Sequence, residues 1–251
     1  VKRANHILAD SESTKRDLLD LLSVDPEDVS VLYPGVEPRF APVECPDELR
    51  RVRARYRLPD RFVLGLGTLQ PRKNFDGLIA AFGQLVVGQD RHPEIAGLHL
   101  VIAGDEGWLY DDVYSLVDRL RLDDRVLFSG FVDDADLPAL YTLAAAFAFP
   151  SWYEGFGLPV LEAMACGTPV VAAQNSSLPE VIGQAGILVD AADQDALARS
   201  LFRLLTEPDL VRNLRDLGLR QSRQFTWEGA AAKLLKTYEA LYSAAEIQHR
   251  S

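Results

Sequence analysis

The most regular feature of the chain is a series of short apolar runs separated by stretches whose apolar positions recur every three or four residues. Phe62-Val-Leu-Gly-Leu-Gly67, Leu98-His-Leu-Val-Ile-Ala103, Arg125-Val-Leu-Phe128, Ala146-Phe-Ala-Phe149 and Pro169-Val-Val-Ala172 show no polar alternation. That is the pattern of strands buried on both faces of a parallel sheet. The intervening periodicity predicts helices at about 74–87, 110–121, 136–143 and 159–166. A short strand at Gly186-Ile-Leu-Val189 leads to helices at about 193–205, 208–222 and 227–245, the last capped by Thr226. The fold class expected is α/β, a Rossmann-like parallel sheet flanked by helices.

The first stretch follows a different plan. His6-Ile-Leu-Ala9 reads as a strand feeding, through Asp10-Ser-Glu-Ser13, a capped helix to about Leu22. Val29-Ser-Val-Leu-Tyr33 reads as a second short strand, stopped by the turn signal Pro34-Gly35. Residues 37–60, Pro-punctuated and Arg-rich, read as a junction before the main sheet. There is no internal repeat and no low-complexity tract.

Composition narrows the classes of function. With 251 residues and 48% hydrophobic content the chain builds one large domain, or one domain with pieces of another. No apolar run approaches the roughly 18 residues of a membrane span. A net charge of −11 and a pI near 4.8 argue against a nucleic-acid partner. Any anionic ligand must therefore be held by a local device. Cys45 and Cys166 lie far apart in dissimilar surroundings, which points to a reducing, cytoplasmic setting. The four histidines show no metal-ligand spacing. Asn175-Ser176-Ser177 matches a glycosylation sequon by chance in such a setting. Residue 1 is Val and the only methionine is Met164, so the chain reads as a piece of a longer protein. Charge is uneven: residues 104–140 carry ten acidic residues and three arginines, whereas residues 39–73 carry nine basic residues and four acidic ones. Both are solvated helix faces, or the second is a basic surface beside an anion site.

Three segments end strands where a parallel sheet offers its ligand crevice. In Gly65-Leu-Gly-Thr-Leu-Gln-Pro-Arg-Lys-Asn74, two glycines admit a ligand to the backbone, and Arg72 and Lys73 follow at the mouth of a helix. A planar fork beside a mobile point charge suits a diphosphate; surface decoration is the plainer reading. As a dinucleotide fingerprint the segment fails, because Gln70 stands where a third glycine belongs. In Pro150-Ser-Trp-Tyr-Glu-Gly-Phe-Gly-Leu-Pro-Val-Leu-Glu162, Gly155 and Gly157 make a backbone-exposing loop and Pro159 opens a helix. Glu154 in the loop and Glu162 one turn into the helix can face one crevice from different heights. The loop is either a structural turn or a ligand loop. In Gly130-Phe-Val-Asp-Asp134 the apolar faces of Phe131 and Val132 offer a seat for a flat base, or form a tight turn with a half-buried aromatic.

Taken in order, Gly-Thr-Leu-Gln-Pro-Arg-Lys-Asn, Val-Ile-Ala-Gly, Gly-Phe-Val-Asp-Asp and Glu-Gly-Phe-Gly-Leu-Pro-Val-Leu-Glu-Ala-Met-Ala-Cys-Gly-Thr-Pro-Val-Val resemble one family. It is the retaining nucleotide-sugar glycosyltransferases of family 4, and the likeness is to the donor half of their GT-B fold. Their Glu-x7-Glu signature runs from Glu154 to Glu162. Leu178-Pro-Glu-Val-Ile-Gly-Gln-Ala-Gly-Ile-Leu-Val-Asp190 and Phe225-Thr-Trp-Glu228 also fit, so the likeness covers nearly the whole chain.

The resemblance implies that Arg72 and Lys73 bind the donor diphosphate and steady it as leaving group, and that Glu154 contacts the sugar near the reacting carbon. These three are the catalytic candidates. It places Gly67 and Thr68 beside the donor, Gly155, Phe156, Gly157 and Leu158 over sugar and phosphate, Glu162 on the ribose, and Phe131 and Val132 at the base. It implies no metal and no cofactor beyond the nucleotide-sugar substrate. The Gly-Thr-Leu-x-Pro-Arg-Lys-Asn form resembles mannosyltransferases of bacterial polysaccharide assembly, which makes GDP-mannose the first expected donor. The acceptor is a saccharide or a lipid-linked one. Residues 1–36 resemble the end of an acceptor domain and its crossing, 37–225 the donor domain, and 226–251 a helix that returns to the missing half. The chain alone is then expected to bind donor and to turn over poorly. The family's frequent work at the inner membrane face raises contact of the Arg50–Arg61 stretch with anionic lipid as an expectation. Alternatives are a GT-B nucleotide-sugar epimerase, disfavoured by the intact Glu-x7-Glu, a non-catalytic nucleotide-sugar-binding module, and a dehydrogenase.

Overall fold

The computed structural model describes residues 4–88, 92–105, 107 and 111–250. Six parallel strands form the main sheet: β3 Phe62–Leu66, β4 His99–Ala103, β5 Val126–Gly130, β6 Ala146–Phe149, β7 Val170–Ala173 and β8 Gly186–Val189. They lie in the order β5-β4-β3-β6-β7-β8, so strand order reverses between β3 and β6. Their near-continuous apolar sequence is explained by two cores, one on each face. Helices α3 (Phe75–Gly88), α4 (Asp111–Leu120) and α8 (Gln194–Thr206) cover one face. Helices α2 (Pro46–Arg55), α5 (Leu137–Leu143), α6 (Leu158–Ala165) and α7 (Leu178–Ile182) cover the other. Helix α9 (Pro208–Ser222) packs on α6 and α8, and α10 (Trp227–Arg250) follows. Of the expected helix at 110–121, residue 110 lies outside the described residues.

The stretch expected as an irregular junction contains α2. Pro46 occupies the first turn, Asp47 and Glu48 sit at the positive end, and Arg53 and Arg55 at the negative end. Only Val52 of this helix is buried, so its apolar stripe is too narrow for periodicity to reveal. Its arginines are not a field of free charge. Arg51 and Arg55 meet Asp136 at 2.6 and 2.9 Å, and Arg55 also pairs with Asp133. Arg50 pairs with Asp47, Arg53 with Asp60, and Arg39 with Glu37 and Asp134. Asp133, Asp134 and Asp136 of the acidic stretch thus meet Arg39, Arg51 and Arg55 of the basic one across the fold.

Residues 7–33 form a small lobe. Strands β1 (Ile7–Ala9) and β2 (Val29–Val31) pair in parallel, and α1 (Glu12–Leu21) begins at Ser11, whose hydroxyl accepts the Thr14 amide. One carboxylate fastens this lobe to the main sheet. Glu180 of α7 accepts the first amides of α1, from Glu12 at 2.9 Å and Ser13 at 3.0 Å, and the Tyr33 hydroxyl at 2.7 Å. Tyr33, Phe156 and Phe225 form a triad of tilted and edge-to-face rings behind it, with centroids 5.6–5.9 Å apart.

At the carboxyl ends of β3, β4 and β5 the backbones come very close. Gly104 has φ 139° and donates to the Gly130 carbonyl, and a Cβ built there would lie 2.2 Å from the Gly67 carbonyl oxygen. Gly104→Ala is expected to cost about 2–4 kcal/mol through steric and backbone strain. Urea unfolding checks this; an unchanged midpoint would show that the strand ends can part freely.

Candidate functional site

Strand-order reversal sends the chain after β3 and the chain after β6 to opposite faces, opening a crevice at their carboxyl ends. Both loops leading out of that crevice carry candidate residues. After β3, Pro71–Lys73 form a 3-10 turn and Asn74 is left-handed (φ 55°), so α3 starts at Phe75 rather than 74. Asn74 is the hinge pin. Its buried Nδ2 donates to the carbonyls of Pro150 and Ala191, each at 2.9 Å, tying the β3 loop to the β6 loop and to the residues after β8. The Trp152 amide adds a bond to the Arg72 carbonyl at 2.9 Å.

This clamp brings three charges together. The Glu154 carboxylate meets Lys73 Nζ at 2.8 Å through one oxygen and the Arg72 guanidinium at 2.7 Å through the other. Arg72 also donates to the Tyr153 carbonyl at 2.7 Å. Lys73 is mostly enclosed, with its ammonium 4.7 Å from the Phe149 ring centroid, whereas Arg72 is open to solvent. Burial lowers the Lys73 pKa; Glu154 works to raise it, and Arg72 adds to the lowering.

The Glu154 loop is held from below by residues after β7. The Glu154 amide donates to Ser176 Oγ at 3.0 Å, and Ser177 Oγ lies 2.9 and 2.8 Å from the carbonyls of Glu154 and Phe156. These serines belong to the Asn175-Ser176-Ser177 tripeptide, whose place straight after the buried strand β7 is the sequence signal for their role. Thr14 of α1 reaches the Gly155 carbonyl at 3.3 Å. Gly157 is left-handed (φ 103°) just before α6; its carbonyl accepts the Val160 and Leu161 amides at 3.0 and 3.3 Å, and Pro159 before them carries no N–H.

The other expected residues separate by role. Gly67 faces the Lys73 side chain, which lies 3.1 Å from where a Cβ would stand, and Thr68 and Leu158 are exposed. Phe156 does not line the crevice with its ring, because it belongs to the aromatic triad with Tyr33 and Phe225. The apolar seat expected from Phe131 and Val132 is corrected as well. Phe131 is 59% exposed while the Val132 side chain is in the core, so only one aromatic face and the local backbone remain. Glu162 does not share the cation pair of Glu154; its Oε2 accepts the Tyr141 hydroxyl at 2.8 Å. Burial raises the Glu162 pKa, against the pull of Tyr141 and Arg39. Among the described residues no group of three or more His, Cys, Asp or Glu could hold a metal ion, and no helix is long and apolar enough to cross a membrane.

A family profile described as "Glycosyl transferases group 1" matches residues 49–220, more than half of the chain. The chain belongs to the group 1 glycosyl transferases. O-antigen chain mannosyltransferase B of Escherichia coli is 37% identical over 202 residues, covering 80% of this chain and 51% of its own. A serotype-specific mannosyltransferase of the same organism is 31% identical over 98% of this chain and 30% of its own. Sucrose-phosphate synthase from Thermosynechococcus elongatus superposes with a TM-score of 0.81 at 29% identity, covering 96% of this chain and 59% of that one. This group 1 glycosyl transferase therefore spans at most about half the length of these curated relatives. Its α/β fold is the expected one, shared with glycosyltransferases of the GT-B fold.

Glu154→Gln removes the carboxylate that raises the Lys73 pKa, so Lys73 is expected to titrate at still lower pH. Carbon NMR of the lysine Cε reads this; an unchanged midpoint would show that Glu154 is not its counter-ion.

Proposed function

We propose that this chain is the donor-binding half of a retaining hexosyltransferase, holding a nucleoside-diphosphate sugar at the carboxyl ends of β3 and β6. The observation that supports it most is the meeting of Arg72, Lys73 and Glu154 at the point of strand-order reversal. An arriving diphosphate exchanges the carboxylate for phosphate oxygens on Lys73 and Arg72. That exchange frees Glu154 to accept from sugar hydroxyls near the reacting carbon. Gly67, Thr68 and the Gly155–Leu158 backbone lie over phosphate and sugar, Glu162 takes the ribose, and the backbone at 131–132 with the Phe131 face takes the base.

In the reaction the bond from the anomeric carbon to the diphosphate breaks with its electron pair leaving on the diphosphate, while the acceptor hydroxyl oxygen bonds the same carbon on the same face and gives its proton to the departing diphosphate. The preorganised cations Arg72 and Lys73 stabilise that growing charge. Glu154 is not read as a glycosidase-type nucleophile. That scheme needs two carboxyl groups flanking one sugar bond, and here the second carboxylate is Glu162, held by Tyr141. Mannosyltransferases among the relatives favour mannose and GDP-mannose as donor. The acceptor, saccharide or lipid-linked, is assigned to an N-terminal half outside this chain. Residues 1–36 are then the crossing from that half, 37–225 the donor domain, and 226–251 the returning helix. A reducing, cytoplasmic setting is part of the reading, in keeping with the free thiols of Cys45 and Cys166. Membrane contact through the Arg-rich helix is not part of the reading, because its arginines are paired with acids of the same domain.

Calorimetric titration with GDP and UDP tests this. Micromolar binding of one nucleotide is expected, weakened at least about tenfold, or about 1.4 kcal/mol, by Lys73→Ala. Because burial lowers the Lys73 pKa, affinity should fall with rising pH before an ordinary lysine would titrate. Equal affinity in wild type and Lys73→Ala would remove the diphosphate from this crevice.

A further inference from the structure

Tyr141 of α5 has no exposed surface and sits in an apolar cluster, edge-to-face with Phe147 at 5.4 Å and with Phe40 at 6.2 Å. Phenylalanine would fill that volume without burying a hydroxyl, and a buried hydroxyl is costly unless it is bonded. Its bond runs outward, to Glu162 Oε2 at 2.8 Å. One carboxylate oxygen is thereby anchored from beneath, and the other remains for a ligand. The backbone of Tyr141 is itself pinned, its carbonyl accepting the Thr168 hydroxyl at 2.7 Å.

We infer that Tyr141 is a positioning residue for donor binding: its buried hydroxyl fixes the rotamer of Glu162 so that the free carboxylate oxygen meets the ribose of the nucleotide. This rests on the reading of Glu162 as the ribose contact. The groups that act on Glu162 come from three places: Tyr141 on α5, Arg39 and Glu37 before α2, and Asp134 after β5; Cys166, at the end of its own helix, is a thiol that Glu162 acts on. Burial raises the Glu162 pKa, Tyr141 and Arg39 lower it, and Glu37 and Asp134 raise it. Burial pushes the Cys166 thiol up to about 12, so it stays neutral. Deleting the phenol hydroxyl removes a group that stabilises the ionised carboxylate. The same deletion lets the side chain swing.

The experiment uses the 251-residue chain as wild type, Tyr141→Phe and Glu162→Gln. Carboxyl carbon NMR follows the titration of Glu162 in wild type and Tyr141→Phe, and calorimetry with GDP and UDP follows affinity against pH. Tyr141→Phe is expected to remain cooperatively folded, to shift the Glu162 midpoint to higher pH, and to weaken nucleotide binding several-fold. The acid limb of binding should move upward with that midpoint. A merely structural tyrosine would change stability and leave both pH readouts in place. Unchanged midpoint and affinity in Tyr141→Phe, with binding lost in Glu162→Gln, overturns the inference alone. Unchanged binding in Glu162→Gln overturns the ribose reading of Glu162 and the inference with it.

Discussion

One carboxylate between two cations joins the two loops on which the site depends. Glu154 comes from the chain after β6, Lys73 and Arg72 from the chain after β3, and the reversal of strand order parts those loops toward opposite faces. Burying Lys73 against Glu154 is not an efficient route to stability, since such pairs recover little more than their desolvation cost. The Asn74 amide already ties the same loops by two hydrogen bonds without charge. The ion cluster therefore reads as a device for a charged ligand in a chain whose net charge of −11 would repel one.

Its supports are graded by distance from the charge. Asn74 fixes the loop carrying the cations, Ser176 and Ser177 fix the loop carrying Glu154, and α1 closes over Gly155 through Thr14. Glu180 and the Tyr33–Phe156–Phe225 triad hold α1 and its lobe in turn. At the neighbouring carboxylate the support reaches the side chain itself: Tyr141 bonds a Glu162 oxygen, whereas Ser176 and Ser177 hold the backbone that carries Glu154.

The strands and most helices were legible because apolar runs and 3.6-residue periodicity survive without knowledge of the partner. The two loops were legible because Gly, Pro, Arg and Lys at strand ends carry their own chemistry. What escaped reading was decided by tertiary packing. A lone polar residue such as Asn74, Tyr141 or Ser177 carries no periodic mark, and its role exists only through a partner distant in sequence. Phe131 and Val132 stand at adjacent positions, yet one ring faces solvent and the other side chain the core, a choice set by the turn after β5. Helix α2 was hidden by its single buried residue, and the pairing of its solvated charges was out of reach because the partners Asp133 and Asp136 lie some 80 residues away.

The most direct test of the account is a crystal structure of this chain with a nucleoside-diphosphate sugar. The account places diphosphate oxygens within hydrogen-bond distance of Lys73 Nζ and the Arg72 guanidinium, with Glu154 turned from its cations to the sugar. A diphosphate bound elsewhere, with the Arg72–Glu154–Lys73 contacts intact, would contradict it.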